Sequence, residues 1–174
     1  LARSLLLNED LCEALSLSHD LGHTPFGHAG EDVLRTCMKK HGGFDHNIQT
    51  LRIVTYTENK YYNFKGLNLT IETLDGLLKH NGPINNTRLY KNILNNNLFD
   101  NKIIFKNFPS MEAQVANISD DIAYNNHDLE DGLRAGLFTL EKFSSLSLIS
   151  EIISKHIKKI KNFRKEIIIN HIVR

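Results

Sequence analysis

The sequence predicts an all-α protein, and three observations support that class. Apolar residues recur at helical spacing along most of the 174-residue chain. Residues that favour helix N-termini stand directly before four of these runs, at Asn8, Asp45, Thr70 and Ser110. No stretch alternates apolar and polar residues convincingly, as a half-buried strand would. We therefore expect helices packed around a shared apolar core.

The periodic runs place the expected helices in chain order. They cover about residues 9–20, 28–40, 46–58, 70–80 and 111–128, followed by shorter helices near 129–140 and 144–173. A tight loop is expected around Pro25, because glycines stand on both sides of it. In the helix over 111–128 the pattern predicts a buried side that consists of Val115, Ile118, Ile122 and Ala123.

The beginning of the chain suggests a piece of a longer protein. Its first residue is Leu1 rather than Met, and no signal-peptide pattern follows. Leu1, Leu5 and Leu6 fall on one helical face, so the chain is expected to start within a helix. Sequence beyond residue 174 is also expected to be missing.

Composition excludes several classes of protein. The chain has 21 Lys+Arg and 20 Asp+Glu, a balance that argues against a strongly basic nucleic-acid binder and an acidic tail protein. No apolar run approaches the roughly 18–20 residues that span a bilayer. The two cysteines form no CxxC motif and are too few for a disulfide framework. We expect a reduced, cytoplasmic protein without a membrane partner, and nucleic-acid binding is not indicated.

The histidines are concentrated in one part of the chain. Five of the nine lie between positions 19 and 46. His19 and Asp20 stand together at the expected end of a helix, where both side chains can converge on one point. A histidine nitrogen beside a carboxylate oxygen suits a borderline or hard divalent cation. An adjacent His-Asp pair is common by chance, so these two residues alone do not establish a metal site.

The loop after this pair adds polar groups at close spacing. The segment SHDLGHTPFGHAGE contains His23, His28 and Glu31, and its glycines let a ligand approach the backbone. This pattern is compatible with an active site. It is equally compatible with a helix N-terminus that His and Glu only cap.

A second acidic group lies far away in sequence. Asp120 stands among apolar neighbours, and Tyr124 and Asp128 follow at i+4 and i+8 on nearly the same helix face. An inward-facing stack of this kind is costly unless it meets a cation or a ligand. The alternative is that Asp120 and Asp121 are solvated and that Tyr124 is a core residue.

Four segments together resemble a known family. SHDLGHTPFGHAGED, GGFDHNIQTLRIV, GLNLTIETLDGLLKHNG and DDIAYNNHDLEDGL are similar, in order and spacing, to the deoxyguanosine triphosphate triphosphohydrolase (dGTPase) family of HD-domain phosphohydrolases. The resemblance covers about residues 1–140. It implies an HD-domain helical bundle over 1–140, with residues 141–174 as a helical extension that has no assigned role.

The resemblance also implies roles for individual residues. His19, Asp20 and Asp120 match ligands of a divalent metal, which could be Mn, Mg, Fe or Zn. His28 matches a catalytic histidine, Glu31 the carboxylate that orients it, His46 a further active-site histidine and His23 one that faces the substrate phosphates. Tyr124 and Asp128 match a pair that binds the deoxyribose of the substrate.

The same resemblance implies an activity. Attack at the α-phosphorus would convert a deoxynucleoside triphosphate (dNTP) into a deoxynucleoside and triphosphate. The family's first metal histidine and its phosphate-gripping basic residues belong upstream of Leu1, so the 174 residues by themselves are expected to be inactive. Relatives form homo-oligomers, so we expect the same here.

Three other functions stay open on the sequence. One is a different HD hydrolase, acting as a nucleotide phosphodiesterase or monophosphatase; Tyr124 and Asp128 argue against it. The second is a degenerate module that binds a nucleotide or a partner without catalysis. The third is a structural helical remnant, which the intact His19, Asp20 and His28 argue against.

Overall fold

The computed structural model describes residues 1–85, Tyr90, residues 105–139, Lys142 and residues 150–151. Five α-helices occur in these ranges: α1 Glu9–Ser18, α2 Gly27–Cys37, α3 His46–Arg52, α4 Ile71–Leu78 and α5 Met111–Arg134. A π-helical turn, Ile53–Thr57, continues α3, and a 3-10 turn, Met38–His41, follows α2. The described residues contain no strand, so the all-α class is confirmed.

The helix starts agree with the capping pattern. The backbone N–H of Leu11 donates to the side chain of Asn8 at 3.1 Å, and that of Ile48 donates to Asp45 at 3.0 Å. Thr70 and Ser110 accept equivalent bonds at the starts of α4 and α5. Each cap satisfies one of the N–H groups that a helix leaves unpaired in its first turn.

The chain divides into two compact units, Leu1–Ser119 and Asp120–Arg174. In the first unit, α4 packs against both α1 and α3. The core of this unit comprises Leu15, Leu51, Val54, Leu74, Leu77, Leu78, Ile84, Ala113 and Ala116. α4 can lie close to α1 because residue 76 is glycine; a Cβ there would come within 3.0 Å of the Leu15 side chain.

The second unit contains the later part of α5. Glu130 and Arg134 form an ion pair at 2.6 Å across one turn, and Gly136 adopts φ +70° just after the helix end. The predicted break near residue 128 is therefore wrong, because residues compatible with a helix continue its backbone hydrogen bonding to Arg134. Most of the expected helix over 144–173, like most of the extension 141–174, lies outside the described residues. The boundary at residue 140 stays a prediction.

Two expectations about burial are wrong. Leu1, Leu5 and Leu6 do not form a helical face: residues Arg3–Leu5 form a 3-10 turn, Leu6 has φ +57°, and all three leucines are exposed. In α5, Val115 is buried as predicted, whereas Ile118, Ile122 and Ala123 are exposed. Periodicity identifies an apolar face, but it does not tell how far along the helix other elements cover that face.

No helix in the described part of the chain combines the length and the hydropathy that crossing a membrane requires.

Candidate functional site

His19 occupies the position directly after α1. Its Nδ1–H donates to the carbonyl of Ser16 at 2.9 Å, which places the proton of a neutral ring on Nδ1 and leaves the lone pair on Nε2. That Nε2 atom lies 3.5 Å from Oδ2 of Asp20. The two residues therefore offer a nitrogen and an oxygen at one point, and a carbonyl sets the imidazole tautomer as in many metal sites.

Thr50 fixes the loop that carries this pair. Its hydroxyl donates to the carbonyl of His19 at 2.9 Å and accepts from the N–H of Gly22 at 2.9 Å. Thr50 is completely buried. A Cβ at position 22 would overlap backbone atoms of Thr50 and of His46, so only glycine lets the loop lie this close to α3.

A histidine that the sequence analysis did not single out lies beside His19. His80 follows α4, is 9% exposed, and stacks its ring on that of His19 with 4.4 Å between centroids and 29° between planes. A ligand nitrogen of each ring lies within 4.8 Å of the other. The carbonyl of His80 accepts from Asn117 at 3.0 Å. Both histidines follow helices that pack together, but the sequence did not show that these helix ends meet.

Glu31 contacts a second group of histidines. Both its oxygens lie 3.1 Å from Nδ1 of His46, and Oε1 also accepts from the backbone N–H of His46 at 3.2 Å. Nδ1 of His28 lies 3.5 Å from Oε2. The sequence predicted Glu31 as the partner of His28; in the structure it is in addition, and at shorter distances, the partner of His46.

The charge of Glu31 is stabilised where it stands. The residue is 3% exposed, and although burial raises its pKa, hydrogen bonds from His46 and His28 lower the pKa to about 2. Arg35 adds an ion pair at 3.2 Å from the next helical turn. A buried carboxylate with these partners stays ionised at neutral pH and can hold a histidine ring in one orientation.

His23 completes this cluster. Its ring centroid lies 5.0 Å from that of His46 and 5.2 Å from that of His28. His28 is largely exposed, whereas His46 is buried. The structure thus brings together four of the predicted residues, His23, His28, Glu31 and His46, around an accessible surface.

The three predicted residues of α5 belong to the second unit. Asp120, Tyr124 and Asp128 follow one another by helical turns, as expected from their spacing. Asp120 is half-buried, Asp128 is exposed and Tyr124 is 66% exposed. The expectation of an inward-facing Asp-Tyr-Asp stack is therefore wrong. Exposure leaves Tyr124 and Asp128 accessible to a ligand, and their assigned roles stay predictions.

A helical frame that collects histidines and carboxylates at loop–helix junctions offers nitrogen and oxygen donors of the kinds that divalent metals bind. The HD-domain model matches residues 1–125. The chain belongs to the HD-domain family.

Several similar proteins carry a more specific name. The chain is 56% identical over 174 residues to a deoxyguanosinetriphosphate triphosphohydrolase-like protein of Pelagibacter ubique, covering 100% of this chain and 47% of that protein. Proteins of the same name from Thiobacillus denitrificans and a Bradyrhizobium species are 52% and 54% identical, covering 90% and 89% of this chain. The chain spans 41% and 39% of those two, so it is less than half as long as these relatives. The resemblance to dGTPase-like proteins is confirmed.

Proposed function

We propose that this chain forms part of the active site of a dNTP triphosphohydrolase, which converts a dNTP into a deoxynucleoside and triphosphate. The observation that carries the proposal is the Glu31–His46–His28 cluster. Its helix α3 also carries Thr50, which bonds to the loop of the His19–Asp20 pair. The names of the relatives support dGTP as a substrate.

The donors around His19 fit a divalent metal. Nε2 of His19 carries the lone pair of a ring that is protonated on Nδ1, Asp20 supplies an oxygen 3.5 Å away, and His80 supplies a second ring nitrogen. The resemblance adds Asp120 as a further ligand. A metal bound there would lower the pKa of a water molecule and polarise a phosphoryl oxygen. Nitrogen and oxygen donors of this kind accept Mn, Mg, Fe or Zn.

His46 and His28 are suited to moving a proton. Glu31 holds Nδ1 of both rings, which leaves Nε2 of each to face other groups. A carboxylate in this position orients an imidazole and stabilises it when it gains a proton. The exposed His28 is the better placed of the two to exchange a proton with a substrate oxygen.

The remaining predicted residues would bind the substrate. His23 can donate to a phosphate oxygen beside the cluster, since its ring lies next to those of His28 and His46. Tyr124 offers an exposed ring and Asp128 an exposed carboxylate. We propose that the ring packs on the deoxyribose and that the carboxylate accepts from its 3′-OH. A homo-oligomeric state and a cytoplasmic location stay predictions.

Product identity tests the reaction more directly than rate does. The chain is incubated at high concentration with dGTP and Mn²⁺, and the products are separated by ion-exchange chromatography. Any product that forms is expected to consist of tripolyphosphate and deoxyguanosine in equal amounts. Pyrophosphate or monophosphate as the main inorganic product would contradict the proposal, as would failure to bind dGTP in equilibrium dialysis.

A matched pair of variants assigns the activity to the cluster. His28→Ala is expected to lower whatever product formation the chain shows about 100-fold or more, since about 100-fold is the lower end of the range for loss of one general acid or base. His41→Ala removes an exposed histidine that terminates the 3-10 turn after α2, and we expect no change. Equal losses in both variants would show that the cluster is not the catalytic group.

A further inference from the structure

Arg35, one helical turn after Glu31 in α2, connects the cluster around Glu31 to the loop that precedes α3. Nη2 of Arg35 lies 3.2 Å from Oε1 of Glu31, and Nη1 donates to Asp32 at 2.9 Å. Nε donates to the carbonyl of Phe44 at 3.4 Å, two residues before His46. A planar guanidinium holds such partners in fixed directions, which an ammonium group cannot do. Arg35 therefore ties the Glu31 carboxylate to the segment that leads into His46.

The two oxygens of Glu31 have different surroundings. Oε1 lies beside the Arg35 guanidinium and accepts from the backbone N–H of His46 at 3.2 Å. Oε2 faces two rings instead, with Nδ1 of His46 at 3.1 Å and Nδ1 of His28 at 3.5 Å. A helix backbone and a guanidinium with three partners thus fix the position of Oε1. Because the carboxylate is rigid and planar, fixing Oε1 also decides where Oε2 points.

The two rings depend on this orientation to different degrees. His46 is buried and meets Glu31 through its backbone N–H and through Nδ1, which lies 3.1 Å from both oxygens. His28 meets Glu31 through Nδ1 at 3.5 Å, and its side chain is 77% exposed. That distance is already at the long end for a hydrogen bond, so a small rotation of the carboxylate would break the contact with His28. His46 would keep a partner after the same rotation, since either oxygen can serve it.

We propose that Arg35 is a positioning residue, which orients the Glu31 carboxylate so that Oε2 holds the proton of the neutral His28 ring on Nδ1. The position of this proton follows the hydrogen bond that a ring nitrogen makes. With Nδ1–H directed at Glu31, Nε2 of His28 keeps its lone pair and is the nitrogen that can accept a proton. Arg35 acts through Glu31 and not by contact with a substrate. That His28 exchanges its proton with a substrate oxygen rests on the proposed function.

The tautomers of the two rings test the proposal. Long-range ¹⁵N–¹H correlation spectra at alkaline pH show which nitrogen of a neutral ring carries the proton, and single substitutions of the two histidines assign their resonances. In Arg35→Gln we expect the ratio of Nδ1–H to Nε2–H in His28 to fall about 2- to 10-fold, the change that loss of one hydrogen bond brings. The ratio in His46 should stay as in the wild type. An unchanged ratio in His28 would overturn the proposal. An equal fall in His46 would also overturn it, because it would indicate a general loosening of the fold.

Two further variants separate orientation from charge. Arg52→Gln removes the same charge from an exposed arginine at the end of α3, and both ratios should stay unchanged; a fall in His28 equal to that in Arg35→Gln would contradict the proposal. Arg35→Lys keeps the charge but cannot reach Glu31 and Phe44 together, so it should lower the His28 ratio as Arg35→Gln does. A wild-type ratio in Arg35→Lys would show that charge alone orients Glu31, and the proposal would be wrong. Because no turnover is measured, failure of the hydrolysis assay leaves these results unaffected.

Discussion

Five of the six histidines of the first unit form two groups, and the groups differ in the atom that Nδ1 of His19 or of His46 faces. In the His19–His80 pair, Nδ1 of His19 donates to a backbone carbonyl. In the cluster around Glu31, Nδ1 of His46 faces a carboxylate. A carbonyl fixes a neutral ring that can ligate a metal, whereas a carboxylate also stabilises a ring that takes up a proton. The contrast shows that the partner of the second nitrogen, rather than the residue type, decides what a histidine can do.

Gly22→Ala tests whether both groups depend on the same close packing, and we expect the largest effect from it. The new Cβ would overlap backbone atoms of Thr50 and His46, and since backbone cannot yield as a side chain can, the cost is expected to be about 4 kcal/mol or more. Urea denaturation measures it. Gly42→Ala is the control, because φ is +102° there but nothing lies near the Cβ; its cost is expected to be about 1 kcal/mol. Equal costs would contradict the packing argument.

Glu31→Gln removes the carboxylate of one histidine group and leaves the His19–His80 pair intact. At neutral pH we expect a loss of about 3 kcal/mol, because His46 and Arg35 lose a buried charged partner. The folded pKa of Glu31, about 2, lies below its ordinary value of 4.5. The charge therefore stabilises the fold above the ordinary value, and that contribution disappears as the pH falls from about 5 to 2.

The unfolding free energy measured from pH 2 to 7 checks this expectation. The wild type should lose stability in the acid range, and Glu31→Gln should lose much less. Asp32→Asn is the matched control, since Asp32 is exposed and its ion pair with Arg35 is a surface contact; a change below about 0.5 kcal/mol is expected. An unaltered acid dependence in Glu31→Gln would show that other groups cause it.

Substitutions of His80 test whether the His19–His80 pair binds a metal. If its ring nitrogen ligates the metal with His19, His80→Ala should weaken Mn²⁺ binding about 100-fold or more, since loss of a residue that only orients a ligand already costs about 10- to 100-fold. The acid dependence that Glu31 causes should not change. His80→Phe keeps a ring against His19 but offers no donor, so it should lose as much affinity as His80→Ala. Calorimetric titration with Mn²⁺ measures both. Retained affinity in His80→Phe would show that His80 only supports His19 by stacking.

Thr50→Val is expected to have the smallest effect. It removes the hydroxyl that joins His19 to Gly22, and with it two hydrogen bonds to backbone groups, at a cost of about 1–2 kcal/mol. Thr55→Val is the control, because that hydroxyl bonds to Leu51 within the same helix and should cost less than about 0.5 kcal/mol. Chemical denaturation distinguishes the two. If Thr50→Val leaves the free energy of unfolding unchanged, packing alone holds the loop.

Local features of the fold could be predicted from the sequence. Asn8, Asp45, Thr70 and Ser110 each cap a helix as expected, since a cap depends on residues three positions apart. Exposure could not be predicted in the same way. Ile118 and Ile122 continue an apolar stripe of α5 and yet remain exposed, because burial depends on which other elements reach that part of the helix.

For the candidate site, the sequence by itself determined the residue types and their local spacing: His19 beside Asp20, then His23, His28 and Glu31 within one loop and helix start. Tertiary structure alone decided which rings meet. His80 is 61 positions from His19 and still stacks on it, and Glu31 lies closer to His46, 15 positions away, than to His28. The physical reason is that helix periodicity and capping act over three or four residues, whereas the partner of a side chain depends on how the helices α1 to α4 are arranged.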